Sequence, residues 1–260
     1  MLLTRIISSA VLAPLILLVV YAGGLWMVGL VVLAGGLMAW EWTRLCGAGQ
    51  GAAGSAVAVA VLAGAPLIFA LASPGYAVAA LLLGAVAAAA AERPSRPRAA
   101  PWIGLGSLYI GLACLALLWL RELPGQGRDL VFWLLAVVWA TDIGAYFAGR
   151  GIGGPKLAPR ISPNKTWAGL VGGALCAGLV GVAAAAFLGS SAMLLVVGGM
   201  VLAVVAQGGD LLESWCKRRF GVKDSGHIIP GHGGILDRVD GLLAVLPVAF
   251  LYFWVVRESI

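Results

Sequence analysis

Apolar segments long enough to cross a membrane recur along the whole 260-residue chain. A helix needs about 17 to 25 mostly apolar residues to span the ~30 Å hydrocarbon core of a bilayer. Nine segments come close to or within this range: approximately 6–22, 25–41, 55–72, 76–91, 102–120, 130–148, 167–188, 191–212 and 239–256. Hydrophobic residues make up 62% of the chain and charged residues 11%, whereas soluble domains carry about 25% charged residues. The pattern predicts an all-α polytopic membrane protein, a bundle of about nine transmembrane helices.

The first apolar segment has two readings. Arg5 precedes an apolar core, which is the order found in a cleaved signal peptide. Further apolar segments follow directly, however, and this favours a retained span. We therefore count segment 6–22 among the nine.

The positions of Lys and Arg predict the orientation of these spans. With a cytoplasmic N-terminus, one side of the membrane receives 14 basic residues and the other receives Arg121, Arg128 and Arg257. Cytoplasmic loops carry the excess of basic residues in membrane proteins. The predicted N-terminus is therefore cytoplasmic and the predicted C-terminus lies outside.

The charged residues also divide the chain by function. We divide it into residues 1–125, with N-terminal transmembrane helices, and residues 126–260, a transmembrane catalytic region with cytoplasmic loops 149–166 and 213–238. Residues 213–240 hold five of the 17 basic residues, four of the 11 acidic residues and both histidines. Such charge beside a membrane is costly and marks a functional site. The net charge of +6 is interpreted as topology, so no nucleic acid is expected as a partner.

Acidic residues at the ends of the late spans supply the candidate chemistry. Asp142 has apolar residues on both sides, and Asp210 closes a long apolar run, where it could also simply cap a helix. Glu213, Ser214 and Lys217 follow Asp210 at helical spacings of three, four and seven, which places all four on one helix face.

A second acidic pair begins the last span. Asp237 and Asp240 are three residues apart and share one face if that segment is helical. Carboxylates from two helix ends could bind a hard cation, and Mg²⁺ accepts few protein ligands when phosphates supply the others. Asp210, Asp237, Asp240 and Asp142 are the predicted metal ligands, with Asp224 as a weaker candidate.

Basic residues and glycines lie between these acids and are typical of a phosphate site. Arg and Lys neutralise phosphate oxygens, Arg in a forked geometry, and the backbone of the turn Pro230–Gly234 could approach an anion closely. His227 and His232 are five apart, a poor spacing for a shared zinc ion. The predicted catalytic group is Lys217, Arg218, Lys223, Asp224, His232 and Arg238.

The loop 149–166 repeats the basic, glycine-rich composition. It carries Arg150, Lys156, Arg160 and Lys165 and ends in a Ser-Pro-Asn-Lys-Thr sequence that could cap the next helix. Neither a P-loop motif nor a dinucleotide fingerprint is present. The predicted substrate-binding residues are Lys165, Ser162, Thr166, Ser214, Gly233 and Gly234.

Residues 140–241 resemble the phosphatidate cytidylyltransferases, also called CDP-diacylglycerol synthases. The resemblance rests on Ser214-x-x-Lys217-Arg218, Lys223-Asp224-x-Gly226 and Pro230-Gly231-His232-Gly233-Gly234-x-x-Asp237-Arg238-x-Asp240. A second block comprises Asp142-x-Gly144-Ala145-Tyr146, Gly149-Arg150 and Ser162-Pro163-x-Lys165-Thr166. Three positions depart from the family pattern: Ala168 stands where Glu or Gln is common, Cys216 where a bulky aliphatic residue is usual, and Gly241 where Ser often follows the last Asp.

The resemblance implies transfer of CMP from CTP to phosphatidate, with Mg²⁺, giving CDP-diacylglycerol and pyrophosphate in phospholipid biosynthesis. Phosphatidate is already a nucleophile at neutral pH, so we do not expect His232 to act as a base; it would contact phosphate or shape the turn. The expected partners are CTP, phosphatidate and membrane lipid, and the expected location is a bacterial cytoplasmic membrane. A homodimer is left open.

Other classes of protein share some of these features. A secondary transporter with an interfacial anion site would also have many spans and intramembrane acids, but it would not need the charged motif at 217–238. The pattern of CDP-alcohol phosphotransferases, DGxxARxxxxxSxxG, is absent. A non-catalytic scaffold would tolerate loss of the acids.

Overall fold

The computed structural model describes residues 2–47 and 53–258, and these fold into nine helices and one short hairpin. The helices are α1 (Leu2–Ala22), α2 (Gly24–Leu45), α3 (Ala53–Leu71), α4 (Pro74–Glu92), α5 (Ala100–Arg121), α6 (Gly127–Gly151), α7 (Trp167–Leu188), α8 (Ala192–Arg219) and α9 (Leu236–Glu258). Eight of them are long and apolar enough to cross a membrane, and the apolar part of α1 is the shorter segment Ile7–Ala22. The predicted all-α polytopic fold is confirmed.

The chain forms two compact units. The first contains Met1–Trp119 together with Arg219–Val239, and the second contains Leu120–Arg218 together with Asp240–Ile260. These units are defined by packing, whereas the predicted division into 1–125 and 126–260 concerns function. That division stays a prediction.

The core of the first unit is built from α2 to α5. Met27, Leu62, Leu81 and Ile103 are almost completely buried side chains from these four helices. The indole Nε1 of Trp42 donates a hydrogen bond of 2.7 Å to the carbonyl oxygen of Trp102, which ties α2 to α5. Large apolar residues thus fill the unit, while one polar bond sets how these two helices meet.

Small residues control helix packing in the second unit. A Cβ at Gly173 would lie 2.8 Å from the carbonyl oxygen of Thr141, so α6 and α7 approach at backbone distance. A Cβ at Gly199 would lie 2.8 Å from the carbonyl oxygen of Ala177, which gives the same close approach between α7 and α8. Small residues allow such contacts between transmembrane helices.

Both predicted polar loops are more ordered than their composition indicated. Within 149–166, α6 continues to Gly151, and an antiparallel hairpin pairs β1 (Lys156–Ala158) with β2 (Ser162–Thr166). Thr166 caps α7, since its hydroxyl accepts a 3.0 Å bond from the Gly169 N–H. Within 213–238, α8 extends to Arg219, so the irregular part is only 220–235. The polar sequence predicted solvent-exposed loops here. Exposed ends of helices are polar as well, so polarity alone does not distinguish the two.

Candidate active site

Asp210 is the centre of a polar cluster in the second unit. Its Oδ2 lies 2.7 Å from the ammonium nitrogen of Lys165, which comes from β2. The same ammonium group donates a 3.3 Å hydrogen bond to the carbonyl oxygen of Gln207, one turn earlier on α8. The Lys165 side chain is 16% exposed and that of Asp210 is 33% exposed. The hairpin therefore delivers a shielded positive charge to a partly accessible carboxylate.

The polar face predicted on α8 is present. The hydroxyl of Ser214 donates a 3.2 Å hydrogen bond to Oδ1 of Asp210, one turn away. Lys217 donates to Oε1 of Glu213 at 3.1 Å, and both of these side chains are largely buried. The spacings of three, four and seven residues therefore predicted one face correctly. This face carries two acids followed by two donors along two turns of α8, and each donor bonds to the acid four residues before it.

Asp240 brings α9 to the same polar cluster. The charges of Asp210, Asp142 and Lys217 lie close enough to act electrostatically on the Asp240 carboxylate. Its Oδ1 accepts a 2.8 Å hydrogen bond from the N–H of Gly241. α8 and α9 meet closely here because a Cβ at Gly209 would lie 2.7 Å from the Asp240 carbonyl oxygen. The carboxylate of Asp240 thus interacts electrostatically with those of Asp142 and Asp210, and all three are predicted metal ligands.

These acids offer the oxygen ligands that Mg²⁺ prefers. Among residues 2–47 and 53–258, no three His, Cys, Asp or Glu side chains are grouped closely enough to form a metal site alone. Mg²⁺ usually takes one or two carboxylates, with substrate phosphates and water completing its octahedron. The donor set of the cluster fits that habit, and it does not fit a site closed by protein ligands alone.

Asp237, the fourth predicted ligand, belongs to the first unit. Its Oδ2 accepts 2.9 Å hydrogen bonds from the N–H of Ser225, the hydroxyl of Ser225 and the N–H of Gly234. These contacts close the loop that precedes α9. Metal binding by Asp237 stays a prediction, while the described contacts show it organising the loop.

Glu41 contacts this loop from α2 and is a polar residue that the sequence analysis did not single out. It lies near the end of α2 and is completely buried. Its Oε1 accepts from the N–H of Ile235 and its Oε2 from the N–H of Leu236, both at 2.9 Å. The hydroxyl of Ser225 lies 3.4 Å from Oε2. A glutamate at the last position of the otherwise apolar span 25–41 was the available signal, since charged residues in spans are rare.

The glycine turn is held by α1 as well as by these acids. The hydroxyl of Ser8 lies 2.8 Å from Nδ1 of His232 and donates to the carbonyl oxygen of Pro230 at 3.3 Å. The hydroxyl of Ser9 lies 3.3 Å from Nε2 of the same ring. Both ring nitrogens of His232 therefore have hydroxyl neighbours, which fits the structural role in the turn that we preferred to that of a base.

The remaining predicted residues divide by exposure. Arg218, Lys223, Asp224 and Arg238 are exposed, whereas Ser162 is half-buried in β2. Gly233 has a φ of 84°, a left-handed conformation that favours glycine. The N–H of Gly234 is already bonded to Asp237. The catalytic and substrate-binding roles of these residues stay predictions.

Comparison with known proteins places these features in one family. The sequence pattern of the cytidylyltransferase family matches residues 3–256. The chain is 41% identical over 255 residues to a phosphatidate cytidylyltransferase of Brucella suis biovar 1 (strain 1330), covering 96% of this chain and 92% of the relative. It is 38% identical over 278 residues to a phosphatidate cytidylyltransferase of Pseudomonas aeruginosa, covering 98% and 97%. A protein of the same name from Bacillus subtilis (strain 168) is 44% identical over 154 residues, covering 58% of this chain and 56% of the relative.

Proposed function

This chain belongs to the cytidylyltransferase family, and from that premise we propose that it transfers CMP from CTP to phosphatidate. The products are CDP-diacylglycerol, a precursor in phospholipid biosynthesis, and pyrophosphate. Relatives named for this activity match the chain over nearly its whole length. The protein is a nucleotidyltransferase and an integral membrane protein.

The observation that carries the proposal is the cluster of opposite charges in the second unit. Lys165 pairs with Asp210 at 2.7 Å, and Asp210, Asp142 and Lys217 act electrostatically on Asp240. CTP and phosphatidate are both anions, so their reaction requires their mutual repulsion to be offset. A cluster with ammonium groups and cation-binding carboxylates supplies that compensation.

The proposed reaction is a nucleotidyl transfer at the α-phosphorus of CTP. An oxygen of the phosphatidate phosphate attacks the α-phosphorus of CTP and forms a new P–O–P bridge. The bond from the α-phosphorus to the oxygen bridging to the β-phosphorus breaks, and pyrophosphate leaves with that electron pair. Catalysis of this type depends on positioning and charge stabilisation rather than on proton transfer. We expect Lys165 and Lys217 to bind phosphate oxygens, and no residue is required as a general base.

Mg²⁺ is the proposed cofactor. Asp210 and Asp240 would hold it, with Asp142 nearby, because their carboxylate oxygens are its preferred ligands. When bound, Mg²⁺ supplies positive charge that stabilises the phosphates of the transition state. Ser214 and Lys165 keep the Asp210 carboxylate oriented through its two oxygens.

The proposed location is the cytoplasmic membrane of a bacterium, with the N-terminus cytoplasmic and the C-terminus outside. The 14 to 3 division of basic residues supports this orientation. CTP would then reach the site from the cytoplasm, while phosphatidate stays in the membrane. Cysteine-substituted termini probed with an impermeant thiol reagent test the orientation, and labelling of the N-terminus from outside would contradict it.

A homodimer stays a prediction, and the mass of the purified protein in detergent tests it.

The decisive experiment measures product formation by the purified full-length chain. Protein in mixed micelles with phosphatidate, radiolabelled CTP and Mg²⁺ should form labelled lipid and release pyrophosphate in equal amounts. Chelation of Mg²⁺ should stop both, and excess Mg²⁺ should restore them. A sample that is folded and monodisperse but forms no CDP-lipid would overturn the proposal. Activity that persists after chelation would overturn the role of Mg²⁺ alone.

The secondary transporter remains the contrasting alternative. It predicts movement of an anion into vesicles without formation of a CDP-lipid. No contact among the described residues favours transport over CMP transfer. The match to the cytidylyltransferase family covers residues 3–256. The same purified protein, reconstituted into proteoliposomes, can be assayed for CTP uptake as a control.

A further inference from the structure

Glu41 and the loop it contacts combine burial, charge and unusual steric demands within the first unit. The side chain of Glu41 has no exposed surface. Its partners Ile235 and Leu236 lie 194 and 195 residues away in sequence. A buried carboxylate is costly unless its oxygens are hydrogen-bonded, and here both oxygens accept backbone N–H groups.

The three bonds of Glu41 fix both ends of one segment. Ser225 begins it and Leu236 ends it, and Leu236 is also the first residue of α9. The first N–H groups of a helix lack partners within the helix. Glu41 therefore caps α9 from a different helix, and its negative charge is placed favourably at the helix N-terminus.

At two glycines the backbone of the segment approaches this carboxylate so closely that a Cβ would collide with it. A Cβ at Gly226 would lie 2.6 Å from Oε1 of Glu41, and one at Gly234 would lie 2.6 and 2.7 Å from its two oxygens. Neither position accepts a larger residue without displacing the carboxylate. The glycines of the turn thus serve the approach of an internal anion, rather than only that of an external phosphate.

Asp237 completes the arrangement from the other side. It binds the N–H of Ser225 and of Gly234, while Glu41 binds the next two N–H groups, those of Ile235 and Leu236. The Ser225 hydroxyl lies within hydrogen-bonding distance of both carboxylates. Three consecutive N–H groups, from Gly234 to Leu236, are consequently occupied by protein carboxylates.

We infer that Glu41 is a positioning residue for the reaction, because its buried carboxylate fixes the segment from Ser225 to Leu236 that carries His232 and leads into Arg238 and Asp240. The inference rests on the proposed cytidylyltransfer. Glu41 would act through the geometry of the segment, since its fully buried side chain has no exposed surface with which to contact a substrate. A misplacement of about 1 Å at a reactive group can cost roughly 100-fold in rate.

Glu41→Gln is the informative variant. A carboxylate accepts at both oxygens, whereas an amide replaces one acceptor with an NH₂ donor. That NH₂ would face the N–H of Ile235 or of Leu236, so one of these bonds is lost while the volume is preserved. Glu92→Gln is the matched control, since Glu92 is also a buried glutamate of the first unit that accepts a backbone N–H, that of Gly54, at 3.2 Å.

Two measurements on the full chain in detergent decide the matter. Hydrogen–deuterium exchange should accelerate in the peptide covering 225–236 of Glu41→Gln and stay unchanged in the hairpin 156–166. The kcat for CDP-lipid formation should fall by about 10- to 100-fold, with KM for CTP changed less than about threefold. Glu92→Gln should change neither the exchange of 225–236 nor kcat.

The outcomes separate this inference from the proposed function. Unchanged exchange in 225–236, an equal acceleration across all loops, or an unchanged kcat in Glu41→Gln would each overturn the positioning role. If the wild-type chain forms no CDP-lipid, the proposed function fails, and with it the catalytic half of the inference. The exchange data would still decide whether Glu41 anchors the segment.

Discussion

Each of the two units contains an acidic centre, and the two centres differ in what their carboxylates bind. Glu41 is fully buried and accepts bonds from neutral backbone and hydroxyl donors. Asp210 is one-third exposed and pairs with an ammonium group. The oxygens of Glu41 accept hydrogen bonds that fix the segment from Ser225 to Leu236, whereas one oxygen of Asp210 pairs with Lys165 and the carboxylate stays partly accessible. Carboxylates of one chain thus differ in their partners, which are backbone donors in one unit and an ammonium group in the other.

The same comparison separates Asp237 from Asp240, although both lie on the first turns of α9. Asp237 binds Ser225 and Gly234 in the first unit. Asp240 lies in the electrostatic neighbourhood of Asp210 and Asp142 in the second. The sequence spacing gave both acids the same predicted role. In the structure, Asp237 accepts hydrogen bonds from a loop, whereas Asp240 lies near other acidic residues.

Asp240→Asn should have the largest effect of any single change at the reactive centre. Asp240 is a proposed Mg²⁺ ligand, and loss of the positive charge that the ion would supply to the transition state costs about 100- to 1000-fold in kcat. The rate of CDP-lipid formation measures it, and size-exclusion chromatography checks the fold. Asp129→Asn is the control, since Asp129 forms an exposed ion pair with Arg128 at 2.9 Å, which is worth about 1 kcal/mol or less. Retention of more than a tenth of the activity by Asp240→Asn would remove Asp240 from the centre.

Lys165→Met should reduce kcat/KM by about 10- to 100-fold, as removal of a residue that orients a metal ligand does. Its effect should not add to that of Asp210→Asn, because both changes break the same ion pair. A double-mutant cycle on kcat/KM measures the coupling. Lys156→Met, on the exposed end of the same hairpin, should leave the activity near that of the wild type. Strict additivity would show that the ion pair has no part in the reaction.

Gly234→Ala tests the anchoring centre by steric pressure. The added methyl group would meet both Glu41 oxygens and the Ser225 hydroxyl, and overpacking of this kind destabilises by about 1 to 3 kcal/mol. Thermal unfolding in detergent should show a lower Tm. Gly64→Ala is the matched control, because nothing lies within 4 Å of a Cβ at that helical position. An unchanged Tm in Gly234→Ala would mean that the segment yields easily and that the anchor is weak.

The smallest expected effect concerns the cap of α7. Thr166→Ala removes the hydroxyl that accepts from Gly169 at 3.0 Å, a loss of about 1 kcal/mol. Ser73→Ala removes the equivalent cap of α4, where the hydroxyl accepts from Tyr76 at 3.3 Å. Both variants should lower Tm by similar amounts, and Thr166→Ala should also lower activity several-fold, as expected of a substrate-binding residue. Equal activities would leave Thr166 with a capping role alone.

Much of the fold could be predicted because its signals are local. Runs of apolar residues predicted the helices to within a few residues, except where the polar residues 213–219 extend α8 beyond the predicted span 191–212. Helical spacing placed Ser214 beside Asp210 and Lys217 beside Glu213. A Ser/Thr-rich end of the basic loop predicted the Thr166 cap. Each of these relations spans seven residues or fewer, or depends on composition alone.

The sequence by itself determined the helical membrane fold, the two polar regions and the family, because length, hydropathy and motif order are properties of the chain. Only the tertiary structure decided that Lys165 pairs with Asp210 and that Glu41 caps α9. These partners are 45 and 195 residues apart, and no local preference brings them together. Tertiary packing places these groups within hydrogen-bonding distance, and it thereby decides whether a carboxylate meets backbone N–H groups or an ammonium group.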